Sequence, residues 1–186
     1  MGAENQWPHH GRVPKKSIEP PIPDIFLSPN HGGVRPETKG VILHSTRSGR
    51  TVPNAREEEY GLTVNYFLAP GTPASAHRVI GVSEGQHALM VEDEMMAWHV
   101  AEDNTRYLGI EFCQPLPTDE YSDWQLEEGA LTVAFWSKEF GFNVNTDTCP
   151  RHQDTAQGKR SGKSDVGNKF PYIQFLNRCR AIREML

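Results

Sequence analysis

Apolar positions fall into short blocks separated by polar and glycine-rich stretches, and the spacing within each block predicts its element. Gly40-Val41-Ile42-Leu43-His44-Ser45-Thr46 is an apolar run ending in polar residues, the pattern of a buried central strand. Tyr107-Leu108-Gly109-Ile110-Glu111-Phe112 repeats that pattern with a single carboxylate in apolar company. Ala76–Ile80 and Ala88–Val91, either side of Ser83-Glu84-Gly85, predict a hairpin. Asn54 followed by Glu57 signals a helix start, with the helix running to about Tyr66 and weakened by Gly61. Pro70-Gly71-Thr72-Pro73 then breaks the chain. Ser122 and Gln125 form a capping-box pattern for a helix to about Phe140, with Leu126, Ala130, Val133 and Ala134 at helical spacing and Gly141 as its stop. Residues 143–169 read as a polar, glycine-bearing loop, after which Pro171 opens a last helix with Ile173, Leu176 and Ile182 as its buried stripe.

Strands and helices interleave, so the expected class is α/β: a single domain with a central sheet flanked by helices. The hairpin makes that sheet mixed. Residues 1–37, rich in Pro, Gly and His and weakly periodic, read as an extended arm, with His9 and His10 as a solvated pair; the domain proper spans 38–186.

The chain of 186 residues suffices for one domain with a full core. A net charge of −5 gives no footprint for nucleic acid, and no apolar run is long enough to cross a bilayer. The first twenty residues hold no signal-peptide block, which leads us to expect synthesis in the cytoplasm. Cys113, Cys149 and Cys179 are too few and too scattered for a disulfide framework and form no C-x-x-C, so buried free thiols are expected.

Three features carry candidate chemistry. His44 ends a buried strand, where ligands gather in open α/β sheets. Glu111 ends a strand of the same type, and burial there would raise its pKa toward that of a general base. The stretch Cys149–Gly167 packs His152, Asp154, Lys163 and Asp165 into an irregular loop. Each alone fits a structural role better: a hydrogen-bonded core histidine, an ion-paired glutamate, a solvated turn. Two His and an Asp with one Glu and one Lys nevertheless make a kit for metal-assisted hydrolysis. His-Glu-x-x-His, Gly-x-Ser-x-Gly and the phosphate-loop signature are all absent.

Six blocks in order, Gly40–Thr46, Ser75–Ile80, Ala97-Trp98-His99, Leu108–Phe112, Arg151-His152-Gln153-Asp154 and Lys163–Gly167, resemble those of the type-2 N-acetylmuramoyl-L-alanine amidases. That family includes phage endolysins, anhydro-muropeptide amidases and peptidoglycan recognition proteins. The resemblance covers roughly residues 38–175 and implies a central mixed sheet with flanking helices. It further implies one Zn2+ per chain held by His44, His152 and Asp165, with Glu111 as catalytic acid/base and Lys163 as electrostatic partner of the scissile carbonyl. Trp98 and His99 are the expected substrate-side residues, His99 as cleft wall or support for a ligand, and His77 is expected to be structural. Val166 stands where many relatives carry Pro, and Ala76 where others carry a catalytic Tyr. The implied substrate is peptidoglycan or a muropeptide, and a monomer is expected. The implied biology is a phage endolysin, with a cytoplasmic recycling amidase, a stem-peptide zinc peptidase or a non-catalytic peptidoglycan binder as alternatives.

Overall fold

The parity of two strands organises the molecule. In the computed structural model, which describes residues 18–186, Gly40–Ser45 (β3) and Tyr107–Phe112 (β7) pair in parallel over six positions, with His44 opposite Glu111. Side chains alternate faces along a strand. Val41 and Leu43 of β3, with Leu108, Ile110 and Phe112 of β7, join the larger core under the long C-terminal helices. The intervening residues, including His44, Gly109 and Glu111, therefore emerge on the opposite face. The two polar residues share that face because they share parity and register.

Around this pair the chain builds a five-stranded sheet in which β3 is the end strand, not the central one its apolar run led us to expect, and β7 lies next to it. Arg78–Ile80 (β4) runs parallel to β7, and His87–Leu89 (β5) turns back antiparallel to β4, so the sheet is mixed, as the hairpin predicts. Asp24–Ile25 (β1) adds a parallel edge to β5. His31–Val34 (β2) and Met95–Ala97 (β6) form a separate antiparallel pair. The described part of the N-terminal arm thus contributes strands to both sheets. Arg35 fastens it, donating from Nη1 to the carbonyl of Met95 at 3.1 Å and from Nε to Thr38 Oγ1 at 3.0 Å. Residues 1–17, with His9 and His10, lie outside the described residues.

Asp123–Glu139 (α2) and Tyr172–Met185 (α4) cover one face, and Ala55–Leu68 (α1) covers the other through Val64 and Phe67. Ser122 and Gln125 form the expected capping box, and Gly141 adopts φ 74 just past the end of α2. Cys113, Cys149 and Cys179 are buried free thiols.

Several local expectations are corrected. Asn54 precedes α1 in a left-handed conformation, φ 62, and its side chain makes no cap bond; α1 runs two residues past Tyr66. The stripe of α4 is Phe175, Leu176, Cys179 and Ile182, whereas Ile173 is 55% exposed. At 3.6 residues per turn, position 172 rather than 173 aligns with 175, 176 and 179, and Tyr172 packs there. The 143–169 stretch is not all loop: His152–Asp154 forms a 3-10 turn and Ala156–Arg160 (α3) a short helix, capped by Thr155 Oγ1 accepting from the Gly158 amide at 2.9 Å. β6 and the 3-10 turn Ala101–Thr105 also escaped the sequence reading, being too short to carry a period.

Candidate active site

The cleft opens where α1 leaves the sheet face uncovered, at the C-terminal ends of β3 and β7. It encloses about 990 Å3 and is lined by His44, Glu59, Trp98, His99, Glu111, His152, Lys163 and Asp165 among others.

Backbone pairing brings His152 to His44. The segment before His152 runs beside β3 as a partial strand: Val41 donates to the Thr148 carbonyl at 2.8 Å and Leu43 to the Pro150 carbonyl at 3.0 Å, with Leu43 bridging Arg151 in parallel. The loop then returns Asp165 to the same point, since the Gln153 amide donates to the Asp165 carbonyl at 2.8 Å. His44 Nδ1 lies 3.0 Å from His152 Nδ1, and Asp165 Oδ2 lies 3.5 Å from the first and 3.0 Å from the second. All three residues are buried, 4–6% exposed, and their ligand atoms lie within 4.8 Å of one another.

The outer ring nitrogens fix the tautomers. His152 Nε2 lies 2.7 Å from Gln157 Oε1, an acceptor, so it carries the proton. His99 Nε2 lies 3.1 Å from the Tyr107 carbonyl and must donate, leaving His99 Nδ1 to accept from His44 Nε2 at 2.9 Å. Both inner Nδ1 atoms therefore present bare lone pairs toward one another and toward a carboxylate. Three lone-pair donors converging in a buried space are mutually repulsive unless a cation lies among them, and two imidazoles with one carboxylate suit a divalent metal with an open position. The residues fit zinc.

The electrostatics agree. Burial lowers the pKa of His44 and drives His99 and His77 well below the usual imidazole range, so all three stay neutral. Burial works against the charge on Asp165, yet the His152 and His44 rings packed against it hold that carboxyl far below its usual range. Glu111 keeps part of its surface open to the cleft. Its burial, and then the Asp165 carboxylate, push it well above the usual range, while the Lys163 ammonium pulls the other way.

Of the residues singled out in the sequence, His44, Glu111, His152, Lys163 and Asp165 line one cleft, joined by Trp98, which is 38% exposed, and by His99. Asp154 instead pairs with Arg151. His77 is fully buried; its Nδ1 accepts from the Gly109 amide at 2.9 Å and its Nε2 donates to the Met95 carbonyl at 3.0 Å. Gly109 is glycine for a steric reason: a Cβ there would sit 2.8 Å from His99 Nδ1. Two cleft residues went unnoticed. Gln157 sits on a helix too short to detect. Glu59, 2% exposed and accepting from Ser48 Oγ at 2.8 Å, hides in a run of three glutamates. Its spacing from the buried Ala55 and Thr63, at i−4 and i+4, was the available signal.

The family model described as N-acetylmuramoyl-L-alanine amidase matches residues 34–168. N-acetylmuramoyl-L-alanine amidase A of Achromobacter lyticus is 31% identical over 84 residues, which span 45% of this chain and 42% of that relative's length. Among solved structures, a selenomethionine derivative of AmpD aligns with a TM-score of 0.63 at 18% identity, covering 84% of this chain and 93% of that one. The endolysin N-acetylmuramoyl-L-alanine amidase LysCS from Clostridium intestinale aligns at 0.56 and 15%, covering 87% and 99%. These structures share the fold. On the match over residues 34–168, the chain belongs to the N-acetylmuramoyl-L-alanine amidase family.

Proposed function

We propose that this protein is a zinc-dependent amidase that hydrolyses the amide between the lactyl group of N-acetylmuramic acid and L-alanine in peptidoglycan. The observation that carries the reading is the convergence of two unprotonated Nδ1 atoms and the Asp165 carboxylate beside Glu111, in a chain of this family. His44, His152 and Asp165 would hold one zinc ion, which supplies Lewis-acid activation of water and of the scissile carbonyl. His99 and Gln157 fix the tautomers of the two imidazoles and act through them. The Glu111 carboxylate takes a proton from the attacking water and delivers it to the leaving α-nitrogen of alanine as the C–N bond breaks. A raised proton affinity suits both halves of that transfer. The Lys163 ammonium, at the exposed edge of the cleft, stabilises the negative charge developing on the carbonyl oxygen. Trp98 offers an aromatic face to the glycan or the stem.

The cleft lies open to solvent along exposed Trp98 and Lys163, which favours a polymeric substrate and the role of a phage endolysin. The test pairs zinc analysis with digestion of purified sacculi and of soluble anhydro-muropeptides, before and after chelation. Zinc near one per chain, with new alanine amino termini that vanish on chelation and return with zinc, is expected. Turnover that survives complete zinc removal would remove the metal from the reaction. Cleavage of muropeptides with intact sacculi untouched would replace the endolysin role with a recycling one.

A further inference from the structure

The loop carrying Asp165 is tied to the rest of the molecule by few bonds, and one of them comes from a side chain just past the end of β3. Arg47, three residues after His44, projects back over the loop and donates from Nη2 to the Val166 carbonyl at 2.8 Å. Its Nη1 donates to Gln114 Oε1. Arg47 itself is held in a left-handed conformation, φ 53, by its amide donating to the Gln114 carbonyl at 3.1 Å. The guanidinium lies so close to Gly167 that a Cβ there would sit 2.3 Å from Nη2, so the glycine makes room for the arginine. The Tyr121 hydroxyl, 2.9 Å from the same Val166 carbonyl and 2.7 Å from Gln114 Oε1, shares its single proton between them. On the other side, the Gly167 amide donates to Gln153 Oε1 at 2.8 Å.

We propose that Arg47 is a positioning residue for the third metal ligand: its planar fork locks the Val166 carbonyl, and so the Asp165 side chain, to the strand that carries His44. The inference rests on the metal reading above. A fork that spans two acceptors cannot be replaced by lysine, whose single nitrogen reaches one of them. Loss of a group that orients a ligand typically weakens metal binding by about 10- to 100-fold.

The test measures zinc affinity and the visible spectrum of the cobalt-substituted protein for wild type, Arg47→Met, Arg47→Lys and, as reference, Asp165→Ala. Arg47→Met should raise the zinc Kd about 10- to 100-fold. Its cobalt bands should move toward those of Asp165→Ala, and Arg47→Lys should fail to restore either. Tyr121→Phe, nearly isosteric, should show a smaller shift in the same direction and serves where Arg47→Met does not fold. Folded variants with zinc Kd within about twofold of wild type and unchanged cobalt bands would overturn the proposal. A wild-type protein that binds neither metal would overturn the metal reading itself, and the clamp with it.

Discussion

The two halves of the site are held in different ways. His44 and Glu111 stand on adjacent strands of the five-stranded sheet, β3 at its end and β7 beside it, with six consecutive paired positions. Their separation is a property of the ladder, and no single side chain sets it. His152 and Asp165 stand on an irregular segment that touches β3 through two amides and is otherwise steadied by Gln153, Gln157, Arg47 and Tyr121. Backbone pairing shares its load over many residues, whereas side-chain ties are few and each can be removed alone. The strand half should therefore lose chemistry without losing geometry when mutated, and the loop half should lose geometry first.

The largest effects separate these outcomes. Asp165→Ala on the loop half should abolish high-affinity zinc binding and activity together, since it removes a ligand. Glu111→Gln on the strand half should keep zinc at its normal stoichiometry and lower turnover by about 10²–10⁴. Zinc analysis beside initial rates on sacculi checks both. Near-normal turnover in Glu111→Gln would remove Glu111 from proton transfer. A Glu111→Gln protein that also lost zinc would break the distinction between the halves.

A smaller effect sharpens it. Gln157→Leu leaves His152 Nε2 without its acceptor, freeing both tautomer and ring angle. Zinc Kd should rise by about tenfold or more, read by competition with a chromophoric chelator. Replacing His99 by Gln, which retains an acceptor for His44, should cost less, because the backbone beneath His44 is fixed by the ladder. Equal losses at the two sites would show that the ladder gives His44 no such protection.

The same contrast governs what the sequence disclosed. The strand half was legible because burial writes itself as unbroken apolar runs, and His44 and Glu111 are the polar interruptions in them. Even their shared face follows once the strands are taken as parallel and in register. The capping box of α2 was legible for a similar reason, being a local pattern with a local cause. The loop half, read from its own residues, gave only a list of suitable residue types, and it was the resemblance to the type-2 amidases that picked out His152, Lys163 and Asp165. Nothing in the spacing of His152, Lys163 and Asp165 indicates that residues 148–151 run alongside β3, because that contact is between distant backbones. Gln157 was opaque as a site residue because it is carried on a helix of five residues, and the bond from Arg47 to the Val166 carbonyl because its partner is distant in sequence. Ile173 was misread because an apolar residue beside a stripe resembles one in it.

The smallest predicted effect is a pH dependence that belongs to the strand half. His77, His99 and His44 form a row beneath the sheet, with ring centroids 5.9 and 5.0 Å apart, and burial lowers the proton affinity of all three. A histidine whose folded pKa is depressed binds its proton more readily when unfolded. Its neutral form is compatible with folding above about pH 6.5, and stability is lost as pH falls below that value toward the folded pKa. Asp165 behaves differently: its depressed folded pKa means that its contribution is lost only below the ordinary carboxylate range, near about pH 4. Between pH 6.5 and 5 the decline should therefore come from the buried histidines of the strand half, at up to about 1.4 kcal/mol per pH unit for each, offset in part by Glu111, whose raised proton affinity in the folded state acts with the opposite sign. His77 is the member to remove, because it is not among the three converging groups and its loss leaves His44 and His99 in contact. In chelated protein, urea titrations should find His77→Asn less stable than wild type at pH 7.5 but with a shallower fall toward pH 5. Parallel slopes for the two proteins would assign the acid sensitivity to His44 and His99, and so to the site itself.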